Sequence, residues 1–373
     1  MEIVAKTFQG LEEILAKELE ALGASNIKIG SRAVECEGDQ ELLYRMNYEL
    51  RTAVRVLVKF FSFKTKHENH LYKKIQEIDW SEHIGLQDTF AIDATTYSKY
   101  LTHSKYLSLK VKDAIVDQLR EKYDGQRPSI DLNAPTLRLQ VHLNKDNQCT
   151  VLWDSSGQSL HKRGYRVASV TAPINEVLAA GLILLSGWEG DCPLIDPMCG
   201  SGTIPIEAAM YASQIPPQFK RKTFGFMTWK DFDAELWEAV RKTANAKIRM
   251  TEVPILGFDR DVNAVKIAEE NVDTIGLDEI IEINWRDFLT LPPQAEKGII
   301  IMNPPYDERL GEEDIEDFYK NIGDQLKKSF SGFDAWLISS NLEALKFIGL
   351  KPSKKIMLFN AALECRFQKY ELY

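Results

Sequence analysis

Histidine is missing from residues 166–373 of this 373-residue chain; all six (His67, His70, His83, His103, His142 and His161) come earlier. Chemistry in the C-terminal part must therefore proceed without imidazole as base or ligand. Cysteine is also sparse. The five cysteines (Cys36, Cys149, Cys192, Cys199 and Cys365) contain no Cys-x-x-Cys pair. That argues against a zinc site or a disulfide framework and fits a reducing cytoplasm, so no metal is expected. Long apolar runs are lacking too: the best, Ala179 to Leu185, is far short of the roughly 20 residues of a membrane span. No membrane association is expected. The opening Met1-Glu2-Ile3-Val4-Ala5-Lys6 has no basic segment followed by an apolar one, so no export signal is expected. Positive charge is not in excess: 46 basic against 55 acidic residues give a net charge of −9, unlike a protein that coats nucleic acid nonspecifically. The imbalance is local. Residues 1–165 carry 23 groups of each sign, whereas residues 166–373 carry 23 basic and 32 acidic ones.

What is present suits a globular protein of two or three domains: 44% apolar, 27% charged and 10% aromatic residues. The first segment alternates strand and helix signals. Ile3 to Ala5 reads as a strand, Leu11 to Leu22 as a helix stopped by Gly23, and Ile27 to Ile29 and Ala33 to Cys36 as strands. Glu41 to Tyr48 reads as a helix and Arg51 to Phe61 as a long strand, a β-α-β-β-α-β order that predicts a ferredoxin-like unit over 1–55. A second α+β unit over 56–155 follows, with helices at Leu71 to Ile78 and Ser108 to Tyr123, a strand at Phe90 to Thr95, and a hairpin from Leu137 to Trp153. From 156 to 373 the pattern becomes the strand-helix alternation of a parallel α/β sheet, ending in two strands, Lys355 to Phe359 and Glu364 to Tyr370.

The sharpest local signal is Leu194-Ile195-Asp196-Pro197-Met198-Cys199-Gly200-Ser201-Gly202-Thr203, a strand that ends on an acid and enters a glycine-bearing loop opening a helix. Glycines there let a ligand approach the backbone. The dinucleotide fingerprint is incomplete, with Pro205 at the third glycine's place and Glu207 just beyond it, and no Walker lysine follows. A cofactor without phosphates fits better. Asp259 and Asp287 follow two further strands, and a carboxylate at the first of these positions accepts ribose hydroxyls. Each Asp alone is equally a helix cap; three in order after three strands is a stronger pattern. The run Ile299-Ile300-Ile301-Met302-Asn303-Pro304-Pro305-Tyr306 ends a buried strand in a proline-stiffened corner. There the side-chain oxygen of Asn303 and the carbonyl of Pro304 suit an amino group with two N–H donors, and Tyr306 offers a flat face for a ring. Cys192 and Cys199, conceivable nucleophiles for a pyrimidine carbon, lie away from this corner and read as packing residues.

Together these pieces resemble the class I S-adenosylmethionine-dependent methyltransferases that act on exocyclic or amide nitrogens. The wider set His161 to Arg166, Ala172 to Glu176, Asp196 to Met210 and Asn303 to Gly311 resembles the THUMP-domain methyltransferases, in particular the bacterial 23S ribosomal RNA guanine-N2 methyltransferases of the L type. The resemblance implies a Rossmann-like, seven-stranded, doubly wound α/β domain behind an N-terminal ferredoxin-like and THUMP module that binds RNA. It further implies that Asp196, Pro197, Cys199, Gly200, Gly202 and Thr203 hold S-adenosylmethionine. Asp259 beside Arg260 takes its ribose, Asp287 beside Phe288 its adenine, and Asn303, Pro304, Pro305 and Tyr306 the guanine. Asp307 stands where the family has glycine. Transfer RNA guanine, DNA adenine-N6, a protein glutamine, and a noncatalytic RNA-binding assembly role remain the alternatives.

In the front half, Arg51, Arg55, Lys59, Lys64, Lys66, Lys73 and Lys74 interleave with Phe60, Phe61, Phe63 and Tyr72. This is either an RNA-contacting face or a strand with an aromatic core side and a solvated one. Lys99, Lys105, Lys110 and Lys112 share that ambiguity. His161-Lys162-Arg163 sits at the junction, placed to grip RNA. Phe224-Gly225-Phe226 and Trp229 either wall the target-base pocket or form a structural lid. Residues 156–373 are expected to stay folded when 1–155 are removed.

Overall fold

The computed structural model describes residues 1–170, 173–305 and 312–373, without the side chains of 312–314. Ala172, Tyr306, Asp307 and Gly311, all named above, lie outside the described residues. The front half runs β1 (Glu2–Lys6), α1 (Glu12–Ala21), β2 (Ser25–Gly30), β3 (Ala33–Glu37), α2 (Gln40–Glu49), β4 (Arg55–Lys64), α3 (Glu68–Gln76), β5 (Thr89–Thr96), α4 (Ser104–Lys122), β6 (Ser129–Ile130), β7 (Leu137–Leu143) and β8 (Gln148–Asp154). The back half runs α5 (Glu176–Ser186), β9 (Leu194–Asp196), α6 (Thr203–Ala212), α7 (Ala234–Asn245), β10 (Ile255–Asp259), α8 (Val262–Ile275), β11 (Ile281–Trp285), β12 (Gly298–Met302), α9 (Glu312–Ser329), β13 (Phe333–Ser339), β14 (Lys354–Asn360) and β15 (Leu363–Glu371).

The described residues build two sheets. In the first, of eight strands, the order is β2-β3-β1-β4-β8-β7-β5-β6. Its first four strands have the antiparallel arrangement that the β-α-β-β-α-β reading predicts. The division expected at 55/56 falls inside β4, which pairs with β1 along one edge and with β8 along the other. The register shift between Lys59 and Phe61 marks a bulge where the strand passes from one unit to the next. Asp39 caps α2 by accepting from the Leu42 N–H at 2.8 Å. α4 begins four residues before the predicted Ser108, because Leu107 already belongs to its buried stripe.

The second sheet has the order β11-β10-β9-β12-β13-β15-β14. Five strands are parallel, and β15 inserts antiparallel between β13 and β14. This is the seven-stranded, doubly wound arrangement expected, with its strand order reversing next to β9. Ligands bind such sheets at that switch point, beyond the carboxyl ends of the strands. β9 and β12, which carry the Asp196 loop and the Asn303 corner, are neighbours there.

The halves share buried surface. Leu11 lies in the core of the second sheet. In return Phe224, Phe226 and Trp237, from the segment joining α6 to β10, pack into the core under α1 and α2. Phe226 stacks on Tyr44 at 4.4 Å between ring centroids, and Trp237 meets Tyr48 edge-on at 5.5 Å. Phe224 and Phe226 are therefore front-unit core residues, neither a pocket wall nor a lid, and Trp229 sits against Trp153. This corrects a second expectation: a fragment starting at 156 would leave Phe224, Phe226 and Trp237 in water, so the back half is not built to stand alone.

Candidate active site

Three loops at the carboxyl edge of the second sheet enclose a cavity of about 510 Å³. Its lining includes Asp196, Pro197, Cys199, Gly200, Thr203, Asp259, Arg260, Asp287, Phe288, Asn303, Pro304 and Pro305, which sequence patterns single out. The lining also includes Pro173, Ile174 and Met198, which lie within the sequence motifs but carry no expected cofactor role, and Val170 and Phe318, which lie in none. Phe318 comes from α9, far along the chain, and its ring lies 5.7 Å from the Arg260 guanidinium. Gly202 is absent from the lining. At φ +78 it starts α6, and a Cβ there would sit 3.1 Å from Ala268 Cβ, so this glycine serves the turn and helix packing.

The glycine loop is held from both ends. Gly200, at φ +54, donates its N–H to Asp259 Oδ2 at 2.9 Å, and Asp259 Oδ1 accepts from the Asp261 N–H at 2.9 Å. Asp259 thus ties the end of β10 to the loop while one lone pair on each oxygen remains for a ligand. Asp261, one turn on, is the residue that caps α8. On the other side Arg166 donates to Ser201 Oγ at 3.0 Å, Thr203 Oγ1 at 2.9 Å, the Ile174 carbonyl at 3.1 Å and Glu176 Oε1 at 2.8 Å. One guanidinium therefore fixes the loop to the segment that forms the opposite wall.

Asp196 is buried, and it accepts the Met198 N–H at 3.2 Å. Burial pushes its carboxyl well above the usual range; the Met198 bond opposes this and the Asp259 charge adds to it. A cationic ligand beside Asp196 reverses that balance and favours the carboxylate. Asp287 is exposed and caps a short helical turn through the Leu289 N–H at 2.9 Å, so at this position the capping role is real whatever else it holds. Burial also pushes the Cys199 thiol well up, with Asp196 and Asp259 adding to the effect, which keeps it protonated and unreactive.

At the third loop Asn303 Oδ1 is buried and has no hydrogen-bond donor among the described residues. An uncompensated acceptor of this kind is costly. Of the nine buried side-chain atoms without a hydrogen-bond partner among the described residues, Asn303 Oδ1 is the one whose residue lines this cavity. Pro304 and Pro305 fix the backbone beside it. Tyr319 O–H, buried on α9, reaches the Pro305 carbonyl at 3.4 Å and Ser339 Oγ at 2.7 Å, bracing the corner from behind.

Arg163, expected to grip RNA, and Arg51, readable as either an RNA contact or a solvated strand residue, both turn to the protein instead. Arg163 is 1% exposed and pairs with the buried Glu207 at 3.3 Å, while donating to the Leu160 and Arg51 carbonyls at 2.7 and 2.5 Å. Arg51 donates to the Met210 and Ile215 carbonyls, at 3.2 and 2.7 Å. Of the remaining front cluster, Arg55 pairs with Asp154, Lys59 with Glu35 at 2.7 Å, and Lys74 with Glu77 at 2.9 Å. Phe63 is core, and Phe60, Phe61 and Tyr72 pack against the same core. Lys64, Lys66, Lys73, Lys99 and Lys105 are exposed, next to the exposed rings of Tyr97, Tyr100 and Tyr106. Lys66 lies 5.3 Å over the Tyr100 ring. Among the described residues no helix is long and apolar enough to cross a membrane, and no group of three or more His, Cys, Asp or Glu residues is placed to hold a metal.

Comparison with known proteins agrees with this geometry. Residues 2–57 match the RlmL ferredoxin-like domain, 65–154 the THUMP domain, and 163–369 the RMKL-like methyltransferase domain. The chain is 40% identical over 371 residues to slr0064 of Synechocystis sp., named as a candidate RNA methyltransferase, covering 99% of this chain and 96% of that protein. It is 38% identical over 376 residues to the ribosomal RNA large subunit methyltransferase K/L of Syntrophotalea carbinolica, covering 98% of this chain and 52% of that protein. The chain thus spans about half the length of the K/L relatives it matches. The crystal structure of SMU.472, complexed with SAH, superposes with a TM-score of 0.89 at 29% identity, covering 100% of this chain and 98% of that one. With its three matched domains and full-length relatives, the chain belongs to the RMKL-like methyltransferase family.

Proposed function

We propose that this enzyme transfers a methyl group from S-adenosylmethionine to the exocyclic N2 of a guanine in 23S ribosomal RNA. The observation that carries the reading is the buried, donor-less Asn303 Oδ1, placed in one cavity with Asp196 and the Gly200 loop. The cofactor fits the residues present: Asp196 lines the cavity as a buried carboxyl, and Asp259 keeps acceptor capacity at the end of β10. The loop Asp196, Pro197, Cys199, Gly200 and Thr203 holds the methionine end, Asp259 with Arg260 the ribose, and Asp287 with Phe288 the adenine. Gly202 shapes the loop. When bound, S-adenosylmethionine supplies an electron-poor methyl carbon on a sulfonium.

An exocyclic amine is a weak nucleophile because its lone pair is delocalised into the ring. Asn303 Oδ1 and the Pro304 carbonyl each accept one of its N–H bonds, which orients the nitrogen and stabilises the positive charge it gains. Pro305 keeps the corner rigid. No covalent intermediate on the protein is required, in keeping with the protonated Cys199 and a histidine-free back half. Residues 1–55 and 56–155 form the RNA-capturing front and 156–373 the catalytic part, a division supported by the three matched domains. The exposed lysines and tyrosines of the THUMP unit contact phosphate and unpaired bases. Five unpaired cysteines, four of them buried, suit a reducing cytoplasm.

The test is methyl transfer from labelled cofactor to unmodified 23S rRNA, transfer RNA and DNA, followed by nucleoside mass spectrometry. The expected product is N2-methylguanosine in 23S rRNA. Label in DNA adenine, or none in any RNA, contradicts the reading.

A further inference from the structure

A second cavity, of about 870 Å³, opens where the front half meets the back half. Pro173 and Ile174 line both it and the active-site cavity, so the two spaces share a wall. Its charge is unusual for this acidic half of the chain. Lys162 and Lys222, both exposed, line it and have no carboxylate partner among the described residues. In the same lining the Arg221 guanidinium is held by main-chain carbonyls, Ser156 and Gln158 at 2.7 Å, Thr223 at 2.9 Å and Ser159 at 3.2 Å, and lies 4.9 Å over the Phe224 ring, with no carboxylate bonded to it. Carbonyls orient a guanidinium without cancelling its charge. Burial lowers the Arg221 pKa to about 10, which leaves it charged at neutral pH. The one carboxylate in the lining, Glu176, is already engaged by Arg166 at 2.8 Å.

We infer that this cleft binds the phosphodiester backbone beside the target nucleotide, with Lys162 and Lys222 as its phosphate contacts and Arg221 as a fixed positive floor. The inference rests on the RNA methyltransferase reading and adds to it a place for the strand flanking the reacting base. A base drawn out of its stack leaves its neighbours' phosphates at the mouth of the pocket. The shared wall at Pro173 and Ile174 puts that mouth next to the cleft. Uncancelled cations there match a polyanion, whose binding is carried by phosphate neutralisation and weakens with salt.

The test compares the full-length Lys162→Ala/Lys222→Ala variant with wild type, using a 23S rRNA transcript that the wild type methylates. Neither lysine side chain makes an ion pair or hydrogen bond among the described residues, and unchanged S-adenosylhomocysteine affinity by calorimetry confirms an intact cofactor site. The expected result is RNA affinity weaker by about tenfold or more and a log–log salt slope shallower by about two. KM for RNA rises while kcat at saturating RNA stays within about twofold. A Lys266→Ala/Lys328→Ala control, which removes exposed charges on α8 and α9, should bind as wild type does. If the cleft variant keeps wild-type affinity and slope, or if the control loses as much, the cleft assignment is wrong while methylation by the wild type stands. If the wild type methylates no RNA, both readings fall together.

Discussion

Replacing Asn303 with alanine is expected to lower kcat on the order of 10²–10³-fold, the scale on which removal of one preorganised polar contact to a developing charge is felt. S-adenosylmethionine affinity should stay within about twofold of wild type. Asn303 Oδ1 is buried yet receives no hydrogen bond from the described residues, so its desolvation cost is recovered only when a ligand donates to it. Alanine removes that acceptor while Pro304 and Pro305 continue to hold the backbone, and β12 beneath them is wholly buried. The loss should therefore appear in turnover at saturating RNA and cofactor. Calorimetry beside single-turnover kinetics separates the possibilities: an equal loss of cofactor affinity and turnover would make Asn303 a structural residue of the loop.

A Glu207→Ala substitution is expected to cost about 3–5 kcal/mol of stability, the range for leaving a buried charge unpaired. Glu207 and Arg163 are 0% and 1% exposed at their side chains, and the same Glu207 oxygen accepts from the Tyr165 O–H at 3.0 Å. Arg51 adjoins the pair. Burial pulls its pKa down, and the charges of Glu207 and Glu18 are what oppose that fall. Removing Glu207 leaves two buried guanidiniums facing Glu18 alone at the seam between the halves. Thermal unfolding followed by circular dichroism should show a large fall in the midpoint, partly recovered in Arg163→Met/Glu207→Leu, where neither charge remains. A midpoint shift no larger than that of a surface substitution would show that apolar contacts such as Leu11 and Phe226 hold the seam by themselves.

The parts legible from sequence are those governed by local rules. Period-2 and period-3.6 patterns locate the strands and helices, the glycine loop after Asp196 announces a close backbone approach, and the prolines after Asn303 announce a rigid corner. Legibility ends where a long-range partner decides what a side chain does. Arg163 reads as an RNA contact and Arg51 as either that or a solvated strand residue, but Arg163 is buried against a carboxylate and half-buried Arg51 is held by carbonyls, each partner more than forty positions away. A signal existed: Glu207 is the one charged residue in the otherwise apolar helix Thr203–Ala212, and a lone buried acid calls for a buried base. Phe224 and Phe226 carry no local mark of their destination, because Tyr44, on which Phe226 stacks, lies in another unit. Phe318 reaches the cavity only because α9 closes over the sheet edge. Gly202 shows the converse: its spacing suggests ligand contact, whereas its positive φ and the Ala268 methyl explain it.

The corner's grip on an amino group is measured most directly by a crystal structure of the enzyme with S-adenosylhomocysteine and an RNA oligonucleotide carrying the target guanine. Asn303 Oδ1 and the Pro304 carbonyl oxygen should both lie within about 3.2 Å of the guanine N2, the reach of an N–H···O bond. A guanine seated elsewhere in the cavity, with Asn303 Oδ1 bonded instead to the protein itself, would contradict it.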